Sequence, residues 1–279
     1  MNKIIFADNL EYLRNMPDKC VDLCYIDVPF NTKKRQKRNK IKTILSDDGL
    51  IGFGGEKYKR NIAGEYGSYD DSFDDYLEFL VPRLKEGYRV LKSTGSFYLH
   101  INWREVHYIK IEMDKIFGRD NFLNEIIWFW DYGAKSKTKW SAKHDTILYY
   151  VKDINSYTFN YSFVPRIPYL APKLAGVEKA AKGKAITDVW WHTIVGTNSK
   201  EKQGYATQKP VGILKRIVEV SSNPGDLCLD FFGGSGSFGA VCGETNRNFI
   251  MIDNNPQAFE IMKKRLKKYL YESNMEGSI

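Results

Sequence analysis

Short apolar runs that end at an acidic residue recur along this chain, and segments with helical spacing lie between them. The runs start at positions 3, 21, 227 and 248, and the acids that follow them are Asp8, Asp27, Asp230 and Asp253. Before the third run, one helix face carries Ile213, Leu214, Ile217 and Val218. Strands that alternate with helices indicate an α/β fold with a parallel sheet. The carboxyl ends of such strands meet at one edge, where open sheets place their ligands.

Two stretches lack this pattern. Residues 31–71 are basic and then glycine-rich, with little periodicity, and we expect a long functional loop that flanks Asp27. Residues 153–206 mix prolines, lysines and aromatic residues without long periodic segments. We interpret them as an insertion for substrate recognition, with an irregular surface region as the alternative. The predicted organisation is one half of a core at 1–152, an insertion at 153–206 and the other half at 207–279.

Composition is typical of a globular protein of the cell interior. The 279 residues are 43% apolar, which is enough to bury a full core. The first residues do not resemble a signal peptide, and no apolar run approaches the ~20 residues that cross a bilayer. The four cysteines lie in apolar settings without disulfide or zinc-site spacing. We therefore expect a soluble, cytoplasmic protein without a membrane partner.

A net charge of +8 and a pI near 9.1 favour a polyanionic partner. One basic group directly follows the Asp27 stretch and comprises Lys33, Lys34, Arg35, Lys37 and Arg38. A second group comprises Lys135, Lys137 and Lys139, interleaved with Trp130, Tyr132 and Trp140. Cations among aromatic rings are typical of nucleic-acid faces, whereas a plain charge run is often a solvated surface. Both groups are predicted to bind a nucleic acid, and a solvated loop is the alternative for the first.

The most informative stretch is Asp27-Val28-Pro29-Phe30, at the end of the second apolar run. It would bring an acid acceptor and a flat ring to the carboxyl edge of the sheet. Such a pair suits a flat heterocycle that carries an amino group. By itself, the stretch also fits a buried strand that ends in an ordinary Asp-X-Pro turn.

A glycine-rich turn follows the third run, at residues 231–239. Its backbone can approach a ligand closely, and Asp253 follows near the ~20-residue interval at which an acid accepts ribose hydroxyls. The turn lacks the Gly-Lys-Ser/Thr of a Walker phosphate loop. The spacing of Gly234, Gly236 and Gly239 also occurs in dinucleotide-binding enzymes, so an oxidoreductase remains an alternative.

Together these motifs resemble those of the S-adenosylmethionine-dependent DNA amino-methyltransferases. Residues 27–30 resemble the Asp-Pro-Pro-Tyr/Phe motif of that family, and residues 230–236 are similar to its Asp-Pro-Phe-x-Gly-Ser-Gly cofactor motif. The segment 205–210 resembles the one that precedes the cofactor motif. The catalytic motif comes first and the cofactor motif last, as in the circularly permuted β class. The resemblance implies a Rossmann-like sheet with helices on both faces and a target-recognition region at 153–206.

The resemblance also implies roles for single residues. Asp27 and the Val28 carbonyl would accept the two hydrogens of an exocyclic amine, next to Pro29, and Phe30 would stack on the flipped base. S-adenosylmethionine would be held by Asp8, Lys209, Asp230, Phe232, Gly233, Gly234, Ser235, Gly236 and Asp253. In that set Asp8 would meet the adenine amino group, Asp253 the ribose hydroxyls and Lys209 the methionyl carboxylate.

Two departures from the family pattern bear on activity. Val28 and Phe231 stand where the family has prolines. Val28 keeps its carbonyl, and because it precedes Pro29 it favours an extended backbone. We therefore predict an active enzyme, with a protein that binds DNA without methylating it as the alternative. An Asp-headed motif favours the N6 of adenine, and the N4 of cytosine is the second possibility.

Other chemistries are disfavoured. No cysteine follows a proline, as the nucleophile of C5-cytosine methylation does in its family. His100, His107, His144 and His192 have no ligand spacing, so we expect no metal and predict core or surface roles for them. The expected partners are double-stranded DNA and a companion restriction endonuclease, for a nucleoid-associated monomer or homodimer.

Overall fold

The computed structural model describes residues 2–51, 55–133, 135–196, 199–205, 207–270 and 275–277, with backbone only at 35–41, 43, 60, 63–70 and 275–277. The strands of this part are β1 Lys3–Phe6, β2 Val21–Asp27, β3 Lys34–Ile51, β4 Lys57–Asp71, β5 Leu91–Ile101, β6 Phe122–Phe129, β7 His144–Val151, β8 Arg166–Ile167, β9 Lys184–Ala185, β10 Val189–Trp191, β11 Leu227–Asp230, β12 Asn248–Asp253 and β13 Met275–Gly277. The helices are α1 Asn9–Arg14, α2 Tyr76–Val90, α3 Val106–Phe117, α4 Pro172–Ala175, α5 Val177–Lys182, α6 Val211–Ser221, α7 Ser237–Glu244 and α8 Pro256–Leu266. Short 3₁₀ turns lie at Arg119–Asn121, Tyr161–Phe163 and Lys267–Tyr269.

A central sheet organises the fold. Among the described residues it has nine strands in the order β10-β6-β7-β5-β2-β11-β12-β1-β13. Only β7 runs antiparallel to its neighbours there. The carboxyl ends of β2, β11, β12 and β1 therefore lie side by side, which brings Asp27, Asp230, Asp253 and Asp8 to one edge. The predicted mostly parallel α/β sheet is confirmed.

Helices cover both faces of this sheet, as predicted. On one face, Leu13 of α1, Leu80 of α2 and Ile109 of α3 are buried in a common core. On the other face, Ile213 of α6 and Phe238 of α7 belong to a second core. Strand β2 sits between the two cores and contributes alternate side chains to each, so it is buried on both sides.

The expectation of a loop at 31–71 is wrong. The backbone there forms a long antiparallel hairpin of β3 and β4, paired from Lys34 with Asp71 to Ile51 with Lys57. The hydrophobic side chains that the structure describes in this hairpin form no buried face that would impose alternation on the sequence: Leu45 and Leu50 are 67% and 77% exposed. Because strands are recognised from a half-buried alternating pattern, this one gave no such signal.

The stretch at 153–206 consists mainly of short elements. Its last strand, β10, pairs with β6 at the edge of the central sheet. Asn160 fastens the stretch to the end of α6, because its amide donates to the carbonyls of Glu219 and Ser222. Whether this region recognises a target stays a prediction. In the described part of the chain, no helix is long and apolar enough to span a membrane.

Candidate active site

A cavity of about 330 Å³ opens at the carboxyl edge of the sheet. Its wall combines residues from both ends of the sequence: Asp8, Asn9, Asp27, Val28, Pro29, Phe30, Phe73, Phe79, Arg83, Tyr205, Thr207, Lys209, Phe231, Phe232, Gly234, Asp253, Asn254 and Asn255. The predicted catalytic stretch and most of the predicted cofactor residues therefore share one cavity. Its size is within the range of small-molecule sites, about 300–1,000 Å³.

The two carboxylate oxygens of Asp27 have different surroundings. Lys209 donates from Nζ to Oδ2 at 2.5 Å. Oδ1 is buried, and no group in the described part of the chain donates a hydrogen bond to it. The imidazole of His100 lies nearby, with its Nδ1 3.9 Å from Oδ1. Because a buried acceptor without a donor is costly, Oδ1 marks a position where a ligand donor is expected.

Neighbouring groups hold the Val28-Pro29-Phe30 backbone on both sides of the step. The Tyr76 hydroxyl donates to the Pro29 carbonyl, and the Asn102 amide donates weakly to the Phe30 carbonyl at 3.5 Å. Val28 is 2% exposed. Within the described residues nothing donates to its carbonyl. Val28 lines the cavity beside Asp27, so the valine has not displaced the segment from it.

Asp71 anchors the chain directly after Phe30. Its carboxylate accepts from the backbone amides of Asn31 at 2.8 Å and Thr32 at 3.1 Å, and from the Thr32 hydroxyl at 2.5 Å. Asn31 has a left-handed backbone, with a φ of 50°, which a non-glycine residue keeps only when its surroundings hold it. Sequence reasoning missed Asp71, because it ends a stretch without periodic pattern.

The glycine-rich turn takes a backbone path that requires glycine. Gly234 and Gly236 have φ angles of 50° and 69°, which favour glycine. A Cβ at Gly233 would lie 2.7 Å from the sulfur of Met262. The Gly234 amide donates to Asp253 Oδ2 at 2.8 Å, which fixes the acid beside the turn. These residues therefore fit a nucleoside-containing cofactor.

Asp8 caps α1 rather than standing free. Oδ1 accepts from the amides of Leu10 and Glu11 at 2.9 and 3.1 Å, and Oδ2 accepts from Arg83 at 3.0 Å. The guanidinium of Arg83 also lies 3.9 Å from the ring centroid of Phe79. Arg83 is a cavity residue that sequence reasoning missed. The available signal was a cation on the apolar face of α2, between Leu80 and Leu84.

Burial and charge perturb the acids of this edge. Burial raises the pKa of Asp230 well above its usual range, and the nearby charge of Asp27 raises it further. Burial also raises the pKa of Asp253. Lys209 opposes the shift of Asp230, so it supplies positive charge where several carboxylates converge. A contact of Lys209 with a methionyl carboxylate stays a prediction; its observed partner is Asp27.

The predicted DNA-binding lysines lie near the same edge. Lys135, Lys137 and Lys139 are exposed on the loop after β6, and β6 runs parallel to β5 and β2. Trp140 on this loop is 99% exposed. At the base of the hairpin, Lys33 donates to the Phe73 carbonyl and Lys34 is exposed. The side chains of Arg35, Lys37 and Arg38 lie outside the described residues.

No metal centre accompanies the cavity in the described part of the chain, where no three His, Cys, Asp or Glu side chains cluster as ligands. His100 is fully buried, and His192 belongs to no such cluster of described side chains. The cavity wall offers hydrogen-bond acceptors, aromatic rings and the cations Lys209 and Arg83.

Comparison with known proteins covers nearly the whole chain. Residues 21–264 match a family model described as DNA methylase (N6_N4_Mtase). Type II methyltransferase M.HpaI of Haemophilus parainfluenzae is 30% identical over 266 residues, which cover 95% of this chain and 74% of that protein. DNA adenine methyltransferase YhdJ of Escherichia coli (strain K12) is 30% identical over 282 residues, which cover 94% of this chain and 82% of that protein.

Solved structures share the fold. The PvuII DNA methyltransferase (cytosine-N4-specific) superposes with a TM-score of 0.65 at 15% identity, over 98% of this chain and 88% of that one. The M1.HpyAVI–SAM complex has a TM-score of 0.61 at 20% identity, over 95% of this chain and 99% of that one. The similarity therefore extends over the central sheet and both helical layers.

Proposed function

This chain belongs to the DNA methylase family, and we propose that it transfers a methyl group from S-adenosylmethionine to the N6 amine of adenine in DNA. The observation that carries the proposal is the unpartnered Oδ1 of Asp27, buried in a cavity that also holds Phe30 and the glycine-rich turn. A hydrogen-bond acceptor, a stacking ring and a nucleoside-binding turn are the parts that this reaction requires.

The acceptors would prepare the amine for attack. An aromatic amine is a poor nucleophile, because its lone pair is conjugated into the ring. Asp27 Oδ1 and the Val28 carbonyl can each accept one amine hydrogen, which shifts the nitrogen toward a geometry with an available lone pair. Holding that nitrogen in line with the methyl group supplies much of the remaining acceleration. S-adenosylmethionine, when bound, supplies an electrophilic methyl group on a sulfonium.

The opposite wall would bind the donor. The glycines of the turn allow close approach of the backbone, and Asp253 is positioned to accept ribose hydroxyls. Asp8 retains acceptor capacity beyond its bonds to α1 and Arg83, because each carboxylate oxygen has two lone pairs. Phe232 lines the cavity, where it can pack on the adenine ring of the donor.

The substrate base must leave the duplex to reach this cavity. Unstacking and unpairing cost a few kcal/mol, and stacking on one aromatic ring returns about 1–3 kcal/mol. Phe30 is the ring next to Asp27, and the Nζ of Lys209 lies 5.0 Å from its centroid. The exposed lysines and Trp140 near the same edge support a duplex bound across it, with 153–206 as its target-recognition region.

Adenine is preferred over cytosine because DNA adenine methyltransferase YhdJ aligns over nearly the full chain. Cytosine N4 is the second candidate, because the cytosine-N4-specific PvuII enzyme shares the fold. Since M.HpaI is a type II methyltransferase, we further propose that a restriction endonuclease of the same specificity accompanies this enzyme. We also propose action at the nucleoid, as a monomer or homodimer.

The test is a transfer assay with purified protein, duplex DNA and S-adenosylmethionine carrying a tritiated methyl group. We expect label in DNA, and long-read sequencing of DNA from cells that express the protein should place the modification on adenine. Modification of cytosine would support the second candidate. Tight binding of cofactor and DNA without any transferred label would instead establish a binding protein with an inactive site.

A further inference from the structure

Three neighbouring strands place a histidine between two carboxylates. His100 of β5 is the direct cross-strand partner of Asp27 at the end of β2. On its other side, β5 pairs with β7, which carries Asp145. His100 is fully buried, so its imidazole lies in the sheet beneath the cavity and does not contact solvent.

Both ring nitrogens of His100 have partners. Nδ1 lies 2.9 Å from the Tyr25 hydroxyl, and Nε2 lies 3.3 Å from Asp145 Oδ2. Burial raises the pKa of Tyr25 well above its usual range, so this hydroxyl keeps its proton and can donate it to Nδ1. With Nδ1 accepting from this hydroxyl, the ring carries an N–H on Nε2 that points at Asp145. The two partners thus fix the ring's orientation and tautomer.

The oriented ring lies beside Asp27 and Phe30, the two side chains that would bind the substrate base in the proposed reaction. Its Nδ1 lies 3.9 Å from the unpartnered Oδ1 of Asp27, and its centroid lies 5.9 Å from that of Phe30. Trp128 closes the remaining side, with an edge-on ring at 5.4 Å. Lys209 bonds the other oxygen of Asp27, so the carboxylate lies between a bound cation and the fixed ring.

We propose that His100 is a positioning residue for methyl transfer: Tyr25 and Asp145 lock its ring, and the ring sets the orientation of the Asp27 carboxylate and of Phe30. The inference rests on the proposed function. An apolar side chain of similar size would fill the same volume, but it would leave the Tyr25 hydroxyl and Asp145 without their bonds to the ring, and no locked ring would stand beside Asp27. A displacement of about 1 Å at a reacting group can lower a rate ~100-fold.

Two variants test the inference, one conservative and one more disruptive. Tyr25→Phe removes one hydroxyl and keeps the ring, which stacks on Phe238 at 5.4 Å. His100→Leu removes the imidazole. The matched control is Tyr98→Phe, because Tyr98 is equally buried on β5 and loses a hydroxyl that bonds Ser221 Oγ at 2.7 Å, away from the cavity.

The measurements are the single-turnover rate of methyl transfer, the Kd for S-adenosylmethionine and the thermal midpoint. We expect Tyr25→Phe to lower the rate ~10-fold and His100→Leu ~100-fold. The Kd should stay near the wild-type value in both, and Tyr98→Phe should keep the wild-type rate. If His100→Leu does not fold, Tyr25→Phe alone decides the question.

The inference is overturned if Tyr25→Phe transfers methyl groups as fast as Tyr98→Phe, or if its loss of rate is matched by an equal loss of cofactor affinity. These outcomes differ from a failure of the proposed function, in which the wild-type protein itself would transfer no methyl group to DNA.

Discussion

At the scale of the single residue, Lys209 makes the two carboxylate oxygens of Asp27 different. The ammonium occupies Oδ2 and leaves Oδ1 to a ligand, so one carboxylate can be held and still accept a new hydrogen bond. Both side chains are largely buried, with 10% and 18% of their surfaces exposed. Removing either partner would therefore leave an uncompensated charge beside the cavity.

The role of Asp27 is tested by Asp27→Ala. We expect methyl transfer to fall by roughly 10²–10³-fold or more, because an acceptor that acts on the reacting group is lost. The Kd for S-adenosylmethionine should change little, since the proposed role of Asp27 is to bind the base. The control is Asp22→Ala, which removes an ion-paired acid from the other end of β2, where Lys92 binds it at 2.8 Å. Loss of cofactor affinity in Asp27→Ala alone would contradict the assignment.

The raised pKa of Asp253 predicts a pH dependence of cofactor binding. The pKa of an ordinary Asp is near 3.9. Burial raises the pKa of Asp253, so on acidification its carboxylate takes up a proton at a higher pH than an ordinary Asp does. Protonation removes the charged acceptor, and the Kd for S-adenosylmethionine should therefore rise as the pH falls through that raised value. Titration calorimetry between pH 8 and 4.5 measures this change.

Asp253→Asn is the matched control for that titration. We expect about tenfold weaker binding at neutral pH, because a hydrogen bond to a charged group is worth ~1.5–3 kcal/mol. Its Kd should also vary less with pH than that of the wild type. An equally steep pH dependence in Asp253→Asn would assign the titration to another group, such as Asp230.

At the scale of elements, local sequence was sufficient for the sheet and insufficient for the hairpin. The strands that end at Asp27, Asp230 and Asp253 were predictable, because each is a buried run with an acid at its end. Most of the β3–β4 hairpin side chains that the structure describes are exposed, and the two strands are stabilised by mutual pairing that no local pattern records. The same limit applies to Asp71 at its base, whose partners are 39 and 40 positions earlier.

The positively charged residues at the start of the β3–β4 hairpin should contribute to DNA binding. Replacing Lys33, Lys34, Arg35, Lys37 and Arg38 by Gln should weaken DNA affinity and flatten its dependence on salt. Each phosphate contact that is lost lowers the log–log slope by about 0.9. Binding titrations over a range of NaCl concentrations measure the slope.

The control replaces four lysines on or just after α8, Lys263, Lys264, Lys267 and Lys268. A helix that follows a parallel strand runs back toward the opposite edge, so these charges lie away from the cavity. Their loss should change the slope less per charge removed. If the slope changes equally per charge removed in the two sets, the basic run is a solvated surface.

The cavity as a whole depends on contacts between distant parts of the chain. Arg83 meets Asp8 across 75 positions, and Lys209 meets Asp27 across 182. The motifs predicted which residues would converge, because parallel strands share an edge. They did not predict which side chains would pair, because that depends on how α2 and the segment before α6 approach the sheet.

Lys152 links the stability of the whole molecule to pH. Burial and the nearby charge of Lys19 lower the pKa of Lys152 from 10.5 to about 8. Its Nζ donates to the Tyr88 carbonyl at 2.5 Å. Between pH 8 and 10.5 the unfolded chain therefore binds more protons at this site than the folded protein, so this group makes the free energy of unfolding rise with pH.

Lys152→Met should remove that contribution. Urea denaturation at pH 8 and pH 10 should show a smaller gain in stability for the variant than for the wild type. Lys115→Met is the control, because Lys115 on α3 has 64% of its side chain exposed, and it should keep the wild-type gain. Identical gains for all three proteins would mean that Lys152 titrates as an ordinary lysine.

The position of β2 between β5 and β11 has a consequence for synthesis. Asp22 on β2 bonds the amide of Leu227 at the start of β11, 205 positions later. While the chain emerges from the ribosome, β2 has one open edge until β11 has been made, and the glycine-rich turn does not yet exist. A nascent or truncated chain thus carries the half of the site that receives the amine, but it has no means to hold the methyl donor. Modification of DNA can begin only after β11, the glycine-rich turn and β12 have been made.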